Sequence, residues 1–211
     1  QSKAAVNMGV KQTGAGSSYV DLAWNAQLGA GHYHTQFSQD GKNWIDMEYS
    51  SSPSDSVYNL TQGASYYARV VAYNGSHYSG THVMVGVSET AIVSTKPTEV
   101  TGLTQTAAGV NSVSMSWNAS AGAASYVIYG YINYNWTQIG TSATNSATIT
   151  GVAATTSTKF SVAAVKNVTG GTVTGDQCSG VEMKAIPIKV SRIAMQYYWD
   201  SLKKQNISGQ M

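Results

Sequence analysis

Residues 1–187 are organised as short runs in which apolar and polar positions alternate with a period of two. Clear examples are Tyr19–Trp24, Tyr66–Ala72, Ser112–Trp117, Tyr126–Tyr129 and Phe160–Val165. Each is rich in β-branched and aromatic residues, the pattern of a strand with one face buried. Between the runs stand clusters such as Gln39-Asp40-Gly41-Lys42 and Thr169-Gly170-Gly171. These residue types tolerate the backbone angles that turns require. No helical periodicity interrupts the series before residue 188, so the pattern predicts an all-β sandwich architecture.

The chain also repeats itself. Trp24-Asn25 matches Trp117-Asn118, Tyr33 matches Tyr126, and Trp44 matches Trp136. Val57 and Leu60 match Ile149 and Val152, and Val70 and Ala72 match Val162 and Ala164. Ser88 is aligned with Ser179, and Pro97 with Pro187. The offset drifts only from 93 to 90. Such a long period means duplicated domains, because solenoid repeats are far shorter. The expected domains are 1–95 and 96–187, joined by a short Pro-containing link and followed by a distinct tail, 188–211. That link should hold the domains in an elongated, partly stiff pair.

A Trp ends the second strand of each half, and a Tyr opens the third. Leu60–Ala72 leads through a tyrosine at position 66 into a long strand, and Gly86–Pro97 closes the unit. In these features residues 1–187 resemble the fibronectin type III family. The resemblance implies two immunoglobulin-like (fibronectin type III) β-sandwiches in tandem and extracellular modules of bacterial type. It implies little about function, since this sandwich carries many unrelated roles. The second half departs from the pattern, with Thr158 where the first half has Tyr66. A looser corner is expected there.

Composition narrows the function. Only 10% of the residues are charged, against about 25% in ordinary soluble domains. Fourteen Tyr and five Trp against two Phe favour aromatics that keep a polar edge. A net charge of +2, with no Lys/Arg stripe, gives no footprint for nucleic acid. The single cysteine, Cys178, precludes a disulfide within the chain and reads as a small buried residue. No apolar run reaches the length of a membrane span, and residues 1–10 lack the basic head and apolar core of a signal peptide. Six glycosylation-type sequons, at Asn59, Asn74, Asn118, Asn135, Asn167 and Asn206, carry no information in so Ser/Thr/Asn-rich a chain. No nucleophile elbow, phosphate loop or zinc-protease motif is present. Asp40-Gly41 reads as a hairpin turn, because the alternating acidic ligands of a calcium loop are missing. No enzyme and no cofactor is expected.

Three constellations remain. The four histidines, His32, His34, His77 and His82, all lie in the first half. His32 and His34 share one face of the expected third strand. His77 and His82 lie in a long segment expected at the same end of the sandwich, so the four imidazoles form a candidate zinc or nickel site. An aromatic strip, Tyr129, Tyr131, Tyr134 and Trp136, could stack a sugar ring, anchor a protein, or simply pair across strands. In the tail, Ala194, Tyr198 and Leu202 fall on one helical face. A short helix or interaction segment is expected there, with Tyr197, Tyr198, Trp199 and Leu202 as partner contacts. The expected role is a non-catalytic extracellular or cell-surface module, serving as spacer and protein-binding unit. Ligands would meet the loops near 25–32 and 74–86. Alternatives are a carbohydrate-binding or adhesin module, and a subunit of a surface filament that self-associates through the tail. Expected partners are thus a protein or glycan at the cell surface, with neither nucleic acid nor a membrane span involved.

Overall fold

The computed structural model describes residues 5–80, 82–154 and 156–187. Sixteen strands and a one-turn 3-10 helix, His77–Ser79, make up its regular structure. In the first half, β1 (Lys11–Ala15), β2 (Val20–Ala23) and β5 (Ser54–Val57) form one antiparallel sheet in the order β1-β2-β5. The facing sheet runs β4 (Ile45–Ser50), β3 (His32–Ser38), β6 (Ser65–Tyr73), β7 (Met84–Val87), with β8 (Ala91–Ser94) also on β6.

The second half repeats the plan. Strands β9 (Thr104–Gly109), β10 (Ser112–Ser116) and β13 (Ser146–Thr150) form the smaller sheet. The larger one runs β12 (Asn135–Ser142), β11 (Ser125–Ile132), β14 (Thr158–Val168), β15 (Gly171–Thr174), with β16 (Val181–Met183) on β14. Three strands against a larger sheet in this order is the fibronectin type III sandwich. The chain carries it twice, and all regular structure among the described residues apart from the 3-10 turn is β.

Alternation places one residue in two of each strand into the core. The first core gathers Met8, Val10, Leu22, Trp24, Tyr33, Val70 and Val93. The second gathers Val100, Met115, Trp117, Tyr126, Ile128, Val162 and Met183. In both, the paired Trp and Tyr meet edge to face. Ring centroids are 5.4 Å apart for Trp24 and Tyr33, and 5.3 Å for Trp117 and Tyr126. Each phenol oxygen also accepts a backbone N–H, from Gln27 at 3.1 Å and Ser120 at 3.0 Å.

Two further devices repeat. The amide of Gln12 pairs with both backbone groups of Ser94, at 2.8 and 2.9 Å, tying β1 to β8 across the open side of the sandwich. Gln105 does the same with Lys184, at 2.9 and 3.1 Å. A side chain thus covers an edge that would otherwise offer free backbone groups. The second device sits at the interruption of the last strand. Ser88 donates its N–H to Val70 O and its Oγ accepts Val70 N–H. In the second domain it is Cys178 that bonds Val162 in this way, with its Sγ 3.3 Å from Val162 N. The structural partner of Ser88 is therefore Cys178, not Ser179. A buried thiol stands in for a hydroxyl, which explains the burial of the lone cysteine.

The Asp40 turn is as the sequence implies. Gly41 has φ +70°, and the Asp40 carboxylate accepts the N–H groups of Lys42 and Asn43 at 2.8 Å each. Those bonds hold its pKa far below the ordinary carboxylate value. At the corner before β6, Tyr66 Oη accepts Thr61 N–H at 3.0 Å. Thr158, at the matching position, opens β14 and pairs with Met183. Removing a neutral hydrogen bond of this kind costs about 1 kcal/mol. Tyr66→Phe should therefore lower the melting temperature of the first domain by roughly 4–8 °C, while Thr158→Val leaves the second domain's transition unmoved. Scanning calorimetry of the two variants tests this.

Candidate functional site

Period-two alternation decides where the histidines go. Tyr33 points into the core, so His32 and His34 must both point to the outer face of the larger sheet. On that face the register sets His32 opposite Tyr73 of β6, and His34 opposite Tyr49 of β4. The segment after β6 then folds back over them. Asn74 and Val83 pin its base through Asn74 N–H to Val83 O and Val83 N–H to Asn74 Oδ1. Its 3-10 turn is capped by Ser76, whose Oγ accepts Tyr78 N–H.

The result is a small layer of rings outside the main core. His32 stacks on Tyr73 at 5.3 Å, and His77 stacks on Tyr49 at 4.2 Å. Among the histidines the centroid distances are 5.4 Å for His32–His34, 5.5 Å for His32–His77, 5.1 Å for His34–His77 and 5.1 Å for His32–His82. One ring nitrogen from each of His32, His34 and His77 lies within 4.8 Å of the others.

The hydrogen bonds assign protons. His32 is only 1% exposed, and its Nδ1 lies 3.1 Å from Gly75 O. A carbonyl only accepts, so Nδ1 carries the hydrogen, which leaves Nε2 as the ring nitrogen able to offer a lone pair. That Nε2 is buried without a hydrogen-bond partner, and so is Nδ1 of His82. A buried acceptor left this way costs about 1–3 kcal/mol. His34 Nε2 and His77 Nδ1 are 3.2 Å apart. Burial lowers the His34 pKa, Asp46 opposes this, and His32, His77 and His82 add to the lowering. Burial thus favours the neutral form of the His34 imidazole.

Tyr49, Tyr73 and Gly75 belong to this site, and sequence reasoning passed over them. Tyr73 ends a run whose other positions fill the core, and Tyr49 stands on a largely exposed edge strand. Gly75 contributes a carbonyl, which no side-chain pattern reveals. Gly31 matters for the same contact, since a Cβ there would lie 2.1 Å from Gly75 O.

The aromatic strip divides. Strands β11 and β12 meet in a tight turn with Asn133 and Tyr134 at φ 49° and 64°. Tyr134 is 89% exposed at its tip. Tyr131 and Trp136 are cross-strand neighbours set edge to face at 5.3 Å, and are 40% and 39% exposed. Trp136 packs against Gly180, where a Cβ would come within 2.8 Å of its ring. Tyr129 is half-buried. The strip is thus one paired unit and one isolated tip ring. The tail contacts, Tyr197, Tyr198, Trp199 and Leu202, lie outside the described residues.

The two domains touch. Thr169, in the tight turn between β14 and β15, donates its N–H to Ile92 O at 2.8 Å, and its Oγ1 accepts Ile92 N–H at 2.7 Å. Lys166 reaches Gly63 O and, at 3.5 Å, Ser65 Oγ. Burial lowers its pKa. Lys96 pairs with Asp176.

No family model matches the chain. Chitinase A1 of Niallia circulans is 33% identical over 162 residues, which is 73% of this chain and 22% of that protein. The chain thus spans about a fifth of that relative's length. Similar solved structures include a two-domain fibronectin type III segment of chicken tenascin, at 15% identity and TM-score 0.41 over 83% of this chain and 97% of that one. The FN1–FN3 domains of chicken CNTN1 match at 15% identity and TM-score 0.47, over 86% of this chain and 68% of that one. Among the described residues, no helix is long and apolar enough to cross a membrane.

Gly31→Ala should push the Gly75 carbonyl away from His32 and destabilise the first domain by about 1–3 kcal/mol. Thermal unfolding of the first domain checks the loss. Amide exchange in residues 74–80 should quicken as well.

Proposed function

We propose that the chain is a non-catalytic spacer of a longer extracellular protein, one that fixes the distance and orientation between whatever flanks it and offers its loops to a partner. The observation that carries this reading is the tethering of the link. Thr95 and Lys96 are still bonded into the first domain, through Thr95 N–H to Ala64 O, Thr95 Oγ1 to Thr61 O, and Lys96 N–H to Gly16 O. Val100 already belongs to the second core. Only Pro97, Thr98 and Glu99 lie between, and Pro97 has a fixed φ. The Thr169–Ile92 bonds, Lys166 on Gly63 O and the Lys96–Asp176 pair then bridge the domains beside the link. Several attachments resist bending where the link alone would act as a hinge. The similarity to Chitinase A1 suits a module beside a polysaccharide-processing unit, since spacing such a unit from its anchor needs stiffness and no chemistry of its own.

Spin labels at Leu28 and Tyr134, exposed positions on different domains, measure this directly. A single narrow distance distribution, broadened by Thr169→Val, is expected. A broad distribution in the unmodified pair would overturn the spacer reading.

The Chitinase A1 likeness also favours a second reading, sugar stacking on Tyr131, Tyr134 and Trp136. Co-sedimentation with insoluble chitin, weakened at least about tenfold by Trp136→Ala, is what that reading requires. Equal sedimentation of the two proteins would rule it out.

A further inference from the structure

We propose that His32, His34 and His77 bind one divalent transition-metal ion of the zinc class, that His82 completes the set, and that the ion fastens the 74–83 segment onto β3.

The donor chemistry comes first. Neutral imidazoles suit zinc, copper, cobalt and nickel, whereas magnesium and calcium require oxygen ligands. Among the described residues no carboxylate joins His32, His34 and His77 in the group, so the donor set is nitrogen alone.

Geometry comes second. Zinc bonds to imidazole nitrogen at about 2.0–2.1 Å, so two ligands of a tetrahedral ion stand about 3.3–3.4 Å apart. His34 Nε2 and His77 Nδ1 are 3.2 Å apart, close to that edge. The three ligand nitrogens, all within 4.8 Å of one another, need only a small inward movement.

The third observation is independent of the cluster's geometry. Metal-bound histidines generally donate their second ring N–H to a carbonyl or carboxylate, which fixes the tautomer and aims the lone pair. His32 has this arrangement already, with Nδ1–H on Gly75 O and an unpartnered, buried Nε2. His82 supplies a second buried nitrogen without a partner, its ring 5.1 Å from that of His32. A metal ion would satisfy the His32 lone pair, and inward rotation of His82 would bring its Nδ1 to the same ion.

A fourth imidazole from His82, whose ring lies 5.1 Å from that of His32, would close the tetrahedron and make the ion structural rather than catalytic. It joins residues 43 positions apart in sequence, the separation of His34 and His77, and so restrains a long surface segment in a domain without a disulfide.

The full 211-residue chain is stripped with chelator, dialysed, and titrated in parallel with zinc, cobalt and magnesium. Zinc should bind at one equivalent and raise the first domain's melting temperature by at least about 5 °C at saturation, with no response to magnesium. Cobalt should give the intense visible band of a tetrahedral site. Long-range nitrogen–proton spectra should show the shifts confined to the four histidine rings. Replacing His34 and His77 together by Ala should weaken zinc at least about 100-fold. Lack of saturable zinc binding up to about 1 mM, an octahedral cobalt spectrum, or unchanged affinity in the double variant would each overturn the proposal. If that variant fails to fold, the cobalt band and histidine shifts of the unmodified chain decide alone.

Discussion

The contact on which both sandwiches depend is the edge-to-face packing of a tryptophan from the smaller sheet on a tyrosine from the larger one. Its worth is about 0.5–1.5 kcal/mol beyond the area it buries. The more important consequence is geometric. By anchoring Tyr33 and Tyr126 inward and bonding their hydroxyls to the preceding loops, it fixes which residues of β3 and β11 face the core. A slip by one residue would reverse every side chain on those strands. His32 and His34 reach the outer face because Tyr33 between them cannot leave the inner one.

From that shared frame the two domains diverge most in the connection after the long central strand. In the first domain it is an extended segment that folds over its own sheet and brings His77 and His82 onto His32 and His34. In the second it is a tight turn at Thr169-Gly170, with Gly170 at φ +90°, that reaches across to Ile92. One domain uses the connection to build a ring cluster, the other to hold its neighbour. Duplication preserved the core and left this connection to differ, as expected of loops on a rigid scaffold.

Much of this was legible in the sequence, for physical reasons that also mark the limits. Alternation and the repeated Trp and Tyr report which side chains are buried, so the sandwich class and the facing of His32 and His34 follow directly. The convergence of His77 and His82 required knowing that the connection and the start of β3 share an end, which the family resemblance implied. Contacts made by backbone groups were not legible: the Gly75 carbonyl, the Thr61 N–H on Tyr66, and the turn at Thr169 holding Ile92. Gln12 and Gln105 left a signal, since each stands twelve residues before its domain's Trp. A glutamine on an edge strand nevertheless looks like any solvated polar residue. Ser88 and Cys178 share a position that side-chain chemistry hides, because serine aligns more readily with the neighbouring Ser179.

In the proposed spacer the two sandwiches form one fixed unit, held by the link, the Thr169–Ile92 bonds, Lys166 on Gly63 and the Lys96–Asp176 pair. Amide hydrogen exchange in the intact chain tests this at the bonds themselves. Ile92 and Thr169 lie at a strand edge and a surface turn, sites that would exchange freely if the domains moved apart. Protection of both amides to the level of core positions such as Val70 and Val162 is the predicted result. Exchange at the rate of an unprotected loop, with Val70 and Val162 still protected, would show that the domains part at this contact and would contradict it.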